Sequence, residues 1–173
     1  MLTEEYNQDI SSDTSQFLMQ RIEFSCEGKI YEARTVNEKR IDNSDIKIMS
    51  KLTYAILDGV NYKDIIKKRR ENFEIACNLF DGLNMLNTKI HFEDDCVPMI
   101  YPLVVENDEL LNKLLSNKIY QGHWWSYLIN VVEEGSFEYW LSRYIVPITI
   151  DQRYGKNELK FTAKIVKEFL GIN

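Results

Sequence analysis

The sequence predicts an α/β domain, a small sheet layered with helices and entered through two leading helices. Three observations predict it. Apolar residues recur at helical spacing from Ile46 to Phe80. Short β-branched runs then alternate with amphipathic runs. The 173 residues, 45% hydrophobic and 28% charged, suffice for one ordinary domain with its own core.

Residues 1–43 form the first region. "MLTEEYNQDISSDTS" is polar and reads as loose. Beyond it Ile22, Phe24 and Cys26 alternate with Glu23 and Ser25, and Ile30 follows Gly28. That alternation predicts a small hairpin around Gly28. A helix is the competing reading, because Phe17, Gln20, Phe24 and Glu27 fit the other period.

Residues 44–173 form the second region. Ser44 or Asn43 caps a helix whose stripe is Ile46, Met49, Leu52 and Ile56, and Asp58-Gly59 stops it. Asn61 or Tyr62 opens a longer helix with Ile65, Ile66, Phe73, Cys77 and Phe80 on one face, ended by Asp81-Gly82. The run from Met99 to Val105 reads as a buried strand, and its Pro102 pushes it towards an edge or a bulge. Asn107 caps a helix bearing Leu110, Leu111, Leu114 and Leu115. "IYQGHW" reads as a second strand, and "SFEYWLSRY" as a short helix capped by Ser136. "IVPITI" is a third strand, and the residues after Gly155 make a last helix carrying Leu159, Ala163, Val166, Phe169 and Leu170.

The formal charge of −6 argues against nucleic acid as the main partner, because phosphate binding needs a basic face. The one basic run, Lys67-Lys68-Arg69-Arg70, lies in a helical pattern with Glu71 and Glu74 and reads as a solvated face. Three scattered cysteines give neither a disulfide framework nor a metal signature. With an acidic N-terminus that lacks an apolar segment, and with no bilayer-length apolar run, a cytoplasmic setting is expected.

Several loose patterns carry little. Ser44-Asp45-Ile46-Lys47 matches S-x-x-K without its partner motifs. Glu93-Asp94-Asp95 reads as a solvated turn rather than a cation loop. No phosphate-binding glycine motif and no nucleophile elbow is present. Two stretches carry more. In "QGHWWSY", His123 sits beside Trp124 and Trp125, a grouping that can stack on a sugar or a planar ring or simply fill space on two sides of a strand end. In "VPITIDQRYG", Asp151-Gln152-Arg153-Tyr154 stands at the carboxyl end of a strand, where α/β layers hold ligands. A capping turn with a surface arginine is the alternative there.

The order of "NYKDIIKKRRENFEIACNLFDGL", "MIYPLVVENDELLNKLLSNKIYQGHWW" and "LSRYIVPITIDQRYG" resembles the C-terminal part of the DegT/StrS-type aminotransferases. These are fold-type I enzymes that depend on pyridoxal phosphate and often act on nucleotide-linked sugars. The likeness spans roughly residues 44–173. It implies the family's small domain, with His123, Trp124 and Arg153 facing the substrate side of the pocket. Trp125 departs from the family, which often has proline there. In the family a large domain supplies the Schiff-base lysine, the aspartate against the pyridine nitrogen and the phosphate loop. Nothing before residue 44 resembles these, and Lys29, Lys39 and Lys47 take no catalytic role from the likeness.

The resemblance thus implies a truncated or split aminotransferase, inactive alone and without bound pyridoxal phosphate of its own. The alternative is a non-catalytic module binding a sugar or nucleotide-sugar. Helices 44–81 are expected to leave Ile46, Met49, Ile56, Ile65 and Phe73 as a bare apolar patch. The expected cover is a second copy, a separate large-domain chain or the first forty or so residues.

Overall fold

The structure, a computed structural model, describes residues 6–24 and 29–172. It divides into two compact units, 1–60 and 61–173.

In the first unit, α1 (Ser11–Phe24) and α2 (Lys29–Asp42) pack against each other. The expected hairpin is therefore corrected: residues on both sides of Gly28 are helical, and Gly28 itself lies outside the described residues. Three alternating apolar residues are too short a signal to outweigh the helical period of Phe17 and Gln20. Helix α3 (Lys51–Asp58) also starts later than expected. Ser44 does not cap it. The Ser44 amide and hydroxyl both donate to the Ile41 carbonyl and close α2 instead. Residues 45–49 then run non-helically, and Ile48 makes a parallel bridge with Gln8. Ser50 caps α3 by accepting from the Thr53 amide at 3.1 Å. Its hydroxyl also bonds the Ser11 hydroxyl, which joins the starts of α1 and α3. No residue of α3 is buried, and Leu52 and Ile56 are 56% and 60% exposed. The sequence pattern groups this helix with the second region, whereas it belongs to the first compact unit.

The second unit is a small α/β domain. Asn61 caps α4 (Tyr62–Phe80), whose face of Phe73, Ala76, Cys77 and Phe80 is buried. Phe73, expected in a bare patch, is thus a core residue, whereas Ile46, Met49 and Ile56 of the first unit are exposed as expected. Strands β1 (Ile100–Val104) and β2 (Ile145–Thr149) pair antiparallel, with Pro102 opposite Pro147. A proline pair keeps the ladder only at a position where neither residue bonds its partner strand. The Pro102 carbonyl accordingly points outward and accepts from Asn84 Nδ2 at 2.8 Å. The Val104 amide, two residues on, donates to Asn84 Oδ1 at 2.9 Å. Asn84 therefore covers the outer edge of β1.

Helices α5 (Leu110–Ser116) and α7 (Lys156–Leu170) pack together, and α7 packs on α4. Leu110, Leu114, Leu159, Ala163 and Val166 meet Tyr101, Leu103, Val146 and Ile148 of the sheet in one apolar cluster. Helix α6 (Phe137–Tyr144) runs directly into β2 and is capped by Ser136, as expected. The expected strand at "IYQGHW" is not formed. Lys118 turns the chain in the left-handed region (φ 60°), and Trp125 does so again (φ 54°) before a 3₁₀ turn at Ser126–Asn130. Gln121 meets β2 through a side-chain bond to Thr149 at 3.0 Å, not through a ladder. The described sheet is two-stranded.

The basic run of α4 is only partly a solvated face. Lys67 is exposed, but Arg69 donates to the carbonyls of Pro98 and Met99, and Arg70 to those of Glu93 and Cys96. Arg70 also lies 4.5 Å from the centre of the Phe92 ring. The two arginines fasten the loop that leads into β1.

Leu114 is fully buried within this apolar cluster. Leu114→Ala is expected to lower stability by about 2–5 kcal/mol, read as a shifted urea midpoint with an unchanged slope.

Candidate functional site

His123 lies in the segment between α5 and the 3₁₀ turn. Its Nε2 is 2.8 Å from the carbonyl of Ser142, a residue 1% exposed in the last turn of α6. A carbonyl only accepts, so Nε2 carries the proton. The final carbonyls of a helix have no partner within it, and His123 satisfies one of them. In the neutral ring Nδ1 is then an acceptor.

His123 lines a cleft of about 370 Å³ with Asp108, Tyr139, Arg143 and Tyr144. Arg143, in the last turn of α6, grips Asp108 with two parallel bonds, Nε to Oδ1 at 2.7 Å and Nη2 to Oδ2 at 2.6 Å. Such a fork fixes direction as well as charge. The hydrogen bond from Arg143 holds the Asp108 carboxyl below the usual range, and that carboxylate holds the guanidinium charged. Tyr139 places its hydroxyl 3.5 Å from Arg143 Nη1. Arg143 also lies over the Tyr144 ring, 5.3 Å from its centre. The cleft thus offers a histidine acceptor, a phenol and an arginine–carboxylate pair, a set suited to hydroxyl groups.

The other two expected site residues lie elsewhere. Trp124 is half-buried and meets Trp125 edge to face, with ring centres 5.5 Å apart. Arg153, its side chain 74% exposed, bonds Asp151 through Nε and Nη2. Neither Trp124 nor Arg153 is among the residues that line the His123 cleft.

The turn that carries Arg153 is held from beneath. Asn72 of α4 is fully buried, and its Nδ2 lies 3.0–3.1 Å from the carbonyls of Ile150, Asp151 and Tyr154. Asp151 is 8% exposed. Its carboxyl is held below the usual range, first by the Arg153 guanidinium and against the opposing effect of burial. No family model, curated protein or solved structure matches this chain.

Pyridoxal phosphate, which the resemblance implies, does not fit the residues of the His123 cleft. No lysine lines it, and its one carboxylate, Asp108, is already gripped by Arg143. Among the described residues no cluster of His, Cys, Asp and Glu could hold a metal ion.

The pattern of residue types had not marked Asp108, Tyr139 or Arg143. The sequence gives only a helix after Asn107 and a short helix capped by Ser136 there. The available signal was the position of Arg143 in the last turn of a short helix, just before a strand. Asn72 also went unmarked, although a polar residue beside Phe73 and four before Ala76 on a buried face needs a partner.

Two outcomes follow from the turn. Asn72→Asp puts an acceptor where three carbonyls already point, and should lower stability by about 3–5 kcal/mol in urea unfolding. The Asp151 contribution should be complete above its unfolded pKa, about 3.9, and vanish as pH falls through its lower folded value. Urea midpoints of wild type and Asp151→Asn should therefore differ at neutral pH and converge as pH falls below the usual carboxylate range.

Proposed function

We propose that residues 61–173 are the substrate-side half of an aminotransferase pocket of the DegT/StrS type, and that residues outside this sequence supply its lysine and pyridoxal phosphate. One observation carries the reading. The segments on which the resemblance rests, far apart in sequence, are in contact. Asn72 of the R-R-E-N helix bonds the D-Q-R-Y turn, the Y-P-L strand pairs with the P-I strand, and His123 bonds the helix of L-S-R-Y.

In this reading the chain binds a nucleotide-linked keto-sugar, and the other half would hold the pyridoxal phosphate that supplies the electron sink for moving an amino group from glutamate or a similar donor. His123 Nδ1 accepts from a sugar hydroxyl, and Tyr139 with the Asp108–Arg143 pair fixes the orientation. The exposed apolar face of α3, with Leu52 and Ile56, meets the chain that carries the cofactor half. A self-associating chain in sedimentation would instead assign that face to a second copy.

A second reading has one observation in its favour. Trp125 and Tyr127 are 40% and 66% exposed beside Trp124, a surface fit for stacking on a sugar without any chemistry. In that reading the chain is a non-catalytic sugar- or nucleotide-sugar-binding module.

The chain mixed with pyridoxal phosphate should develop no imine absorbance band. A stable band abolished by one lysine substitution would overturn the proposal. Nucleotide-sugars should quench tryptophan fluorescence saturably, and His123→Gln should raise the dissociation constant roughly three- to tenfold, the worth of one hydrogen bond. Saturable binding that His123→Gln leaves unchanged and Trp125→Ala abolishes would favour the second reading.

A further inference from the structure

A second cleft lies on the other side of Tyr139 and Tyr144, and the proposed function makes no use of it. It has a volume of about 710 Å³ and is walled by Phe137, Tyr139, Trp140 and Tyr144, with Glu106 and Glu134 at its rim. Phe137 and Trp140 form a shelf, their ring centres 5.6 Å apart and their planes 34° from parallel. Phe137 is 60% exposed, which is a large apolar ring to leave in water. The Trp140 indole donates to Glu106 Oε1 at 2.7 Å and holds that carboxylate beside the shelf. Gly135, in the left-handed region at φ 89°, turns the chain between Glu134 and the start of α6.

The charges decide what such a cleft accepts. Two carboxylates line it, and none of its lining residues is a lysine or arginine. Arg143 stands behind the Tyr144 ring and is neutralised by Asp108. The start of α6 adds roughly half a positive charge, less than the two carboxylates contribute. Phosphates and carboxylates are therefore repelled. Aromatic faces carry negative charge density and attract cations with an apolar surface. A neutral sugar gains from stacking and from hydroxyl bonds to the carboxylates but brings no charge to meet theirs, whereas an alkylammonium ion gains from stacking, cation–π attraction and the charge of both carboxylates.

We infer that this cleft is a binding site for a small organic ammonium ion. The inference stands apart from the aminotransferase reading: the two clefts share the Tyr139 and Tyr144 rings, but Phe137, Trp140, Glu106 and Glu134 take no part in that reading. Choline and its uncharged carbon isostere 3,3-dimethylbutan-1-ol, titrated into the full chain by calorimetry with tryptophan fluorescence in parallel, test it. Choline should saturate with a dissociation constant on the order of 1–10 mM, the range expected for an open cation–π site. The isostere should bind at least about tenfold more weakly, and raising the salt should weaken choline alone. Glu134→Gln and Phe137→Ala, both at exposed positions, should each weaken choline by roughly three- to fivefold. Equal affinity for choline and the isostere would overturn the inference. So would choline binding that neither variant changes, or no saturation by about 100 mM.

Discussion

The second unit depends on one buried amide. Asn72 stands fully enclosed on α4 and turns its nitrogen towards three carbonyls at the end of β2. An amide nitrogen has two protons, so one of these bonds is shared. Its Oδ1 has no partner among the described residues. A buried polar group of this kind is tolerated only where the alternative is worse. Here the alternative is a strand end whose carbonyls have nothing to bond. The amide thus fixes where β2 stops, where Asp151 points and where α7 begins.

That constraint also positions the clefts. Helix α6 runs into β2 without a linker, so fixing β2 fixes α6 as well. Helix α6 presents different groups to its two sides. His123 and the Asp108–Arg143 pair lie on one side, and the Phe137–Trp140 shelf with Glu106 on the other. Tyr139 and Tyr144 belong to both, so a ligand on one side touches rings that wall the other.

Much of the second unit was legible in the sequence, and the reasons are local. Helices α4, α6 and α7 follow apolar stripes with recognisable starts at Asn61, Ser136 and Gly155. Strands β1 and β2 follow β-branched runs. What failed depended on partners. "IYQGHW" has a strand's composition but no ladder: left-handed residues at Lys118 and Trp125 bound it, and Gln121 meets β2 only through its side chain. The start of α3 was misplaced because Ser44 and Ser50 are chemically alike, and only the end of α2 shows which one is free to cap. Of the site, His123 was legible from its aromatic neighbours. Asp108 and Arg143 were not, since a bidentate pair thirty-five residues apart leaves no periodic trace. Arg153 was singled out by its place at a strand end, yet its guanidinium is occupied two residues away by Asp151.

The facing prolines bear on how this protein can assemble. With Pro102 and Pro147 opposite each other, both outward-facing positions lack an N–H donor. Asn84 shields the β1 side, but β2 has its own outer edge. A strand arriving there from another molecule would find no donor at the middle of β2 and could not zip along its full length. The two facing prolines thereby blunt the open edge of the sheet as a template for a further strand.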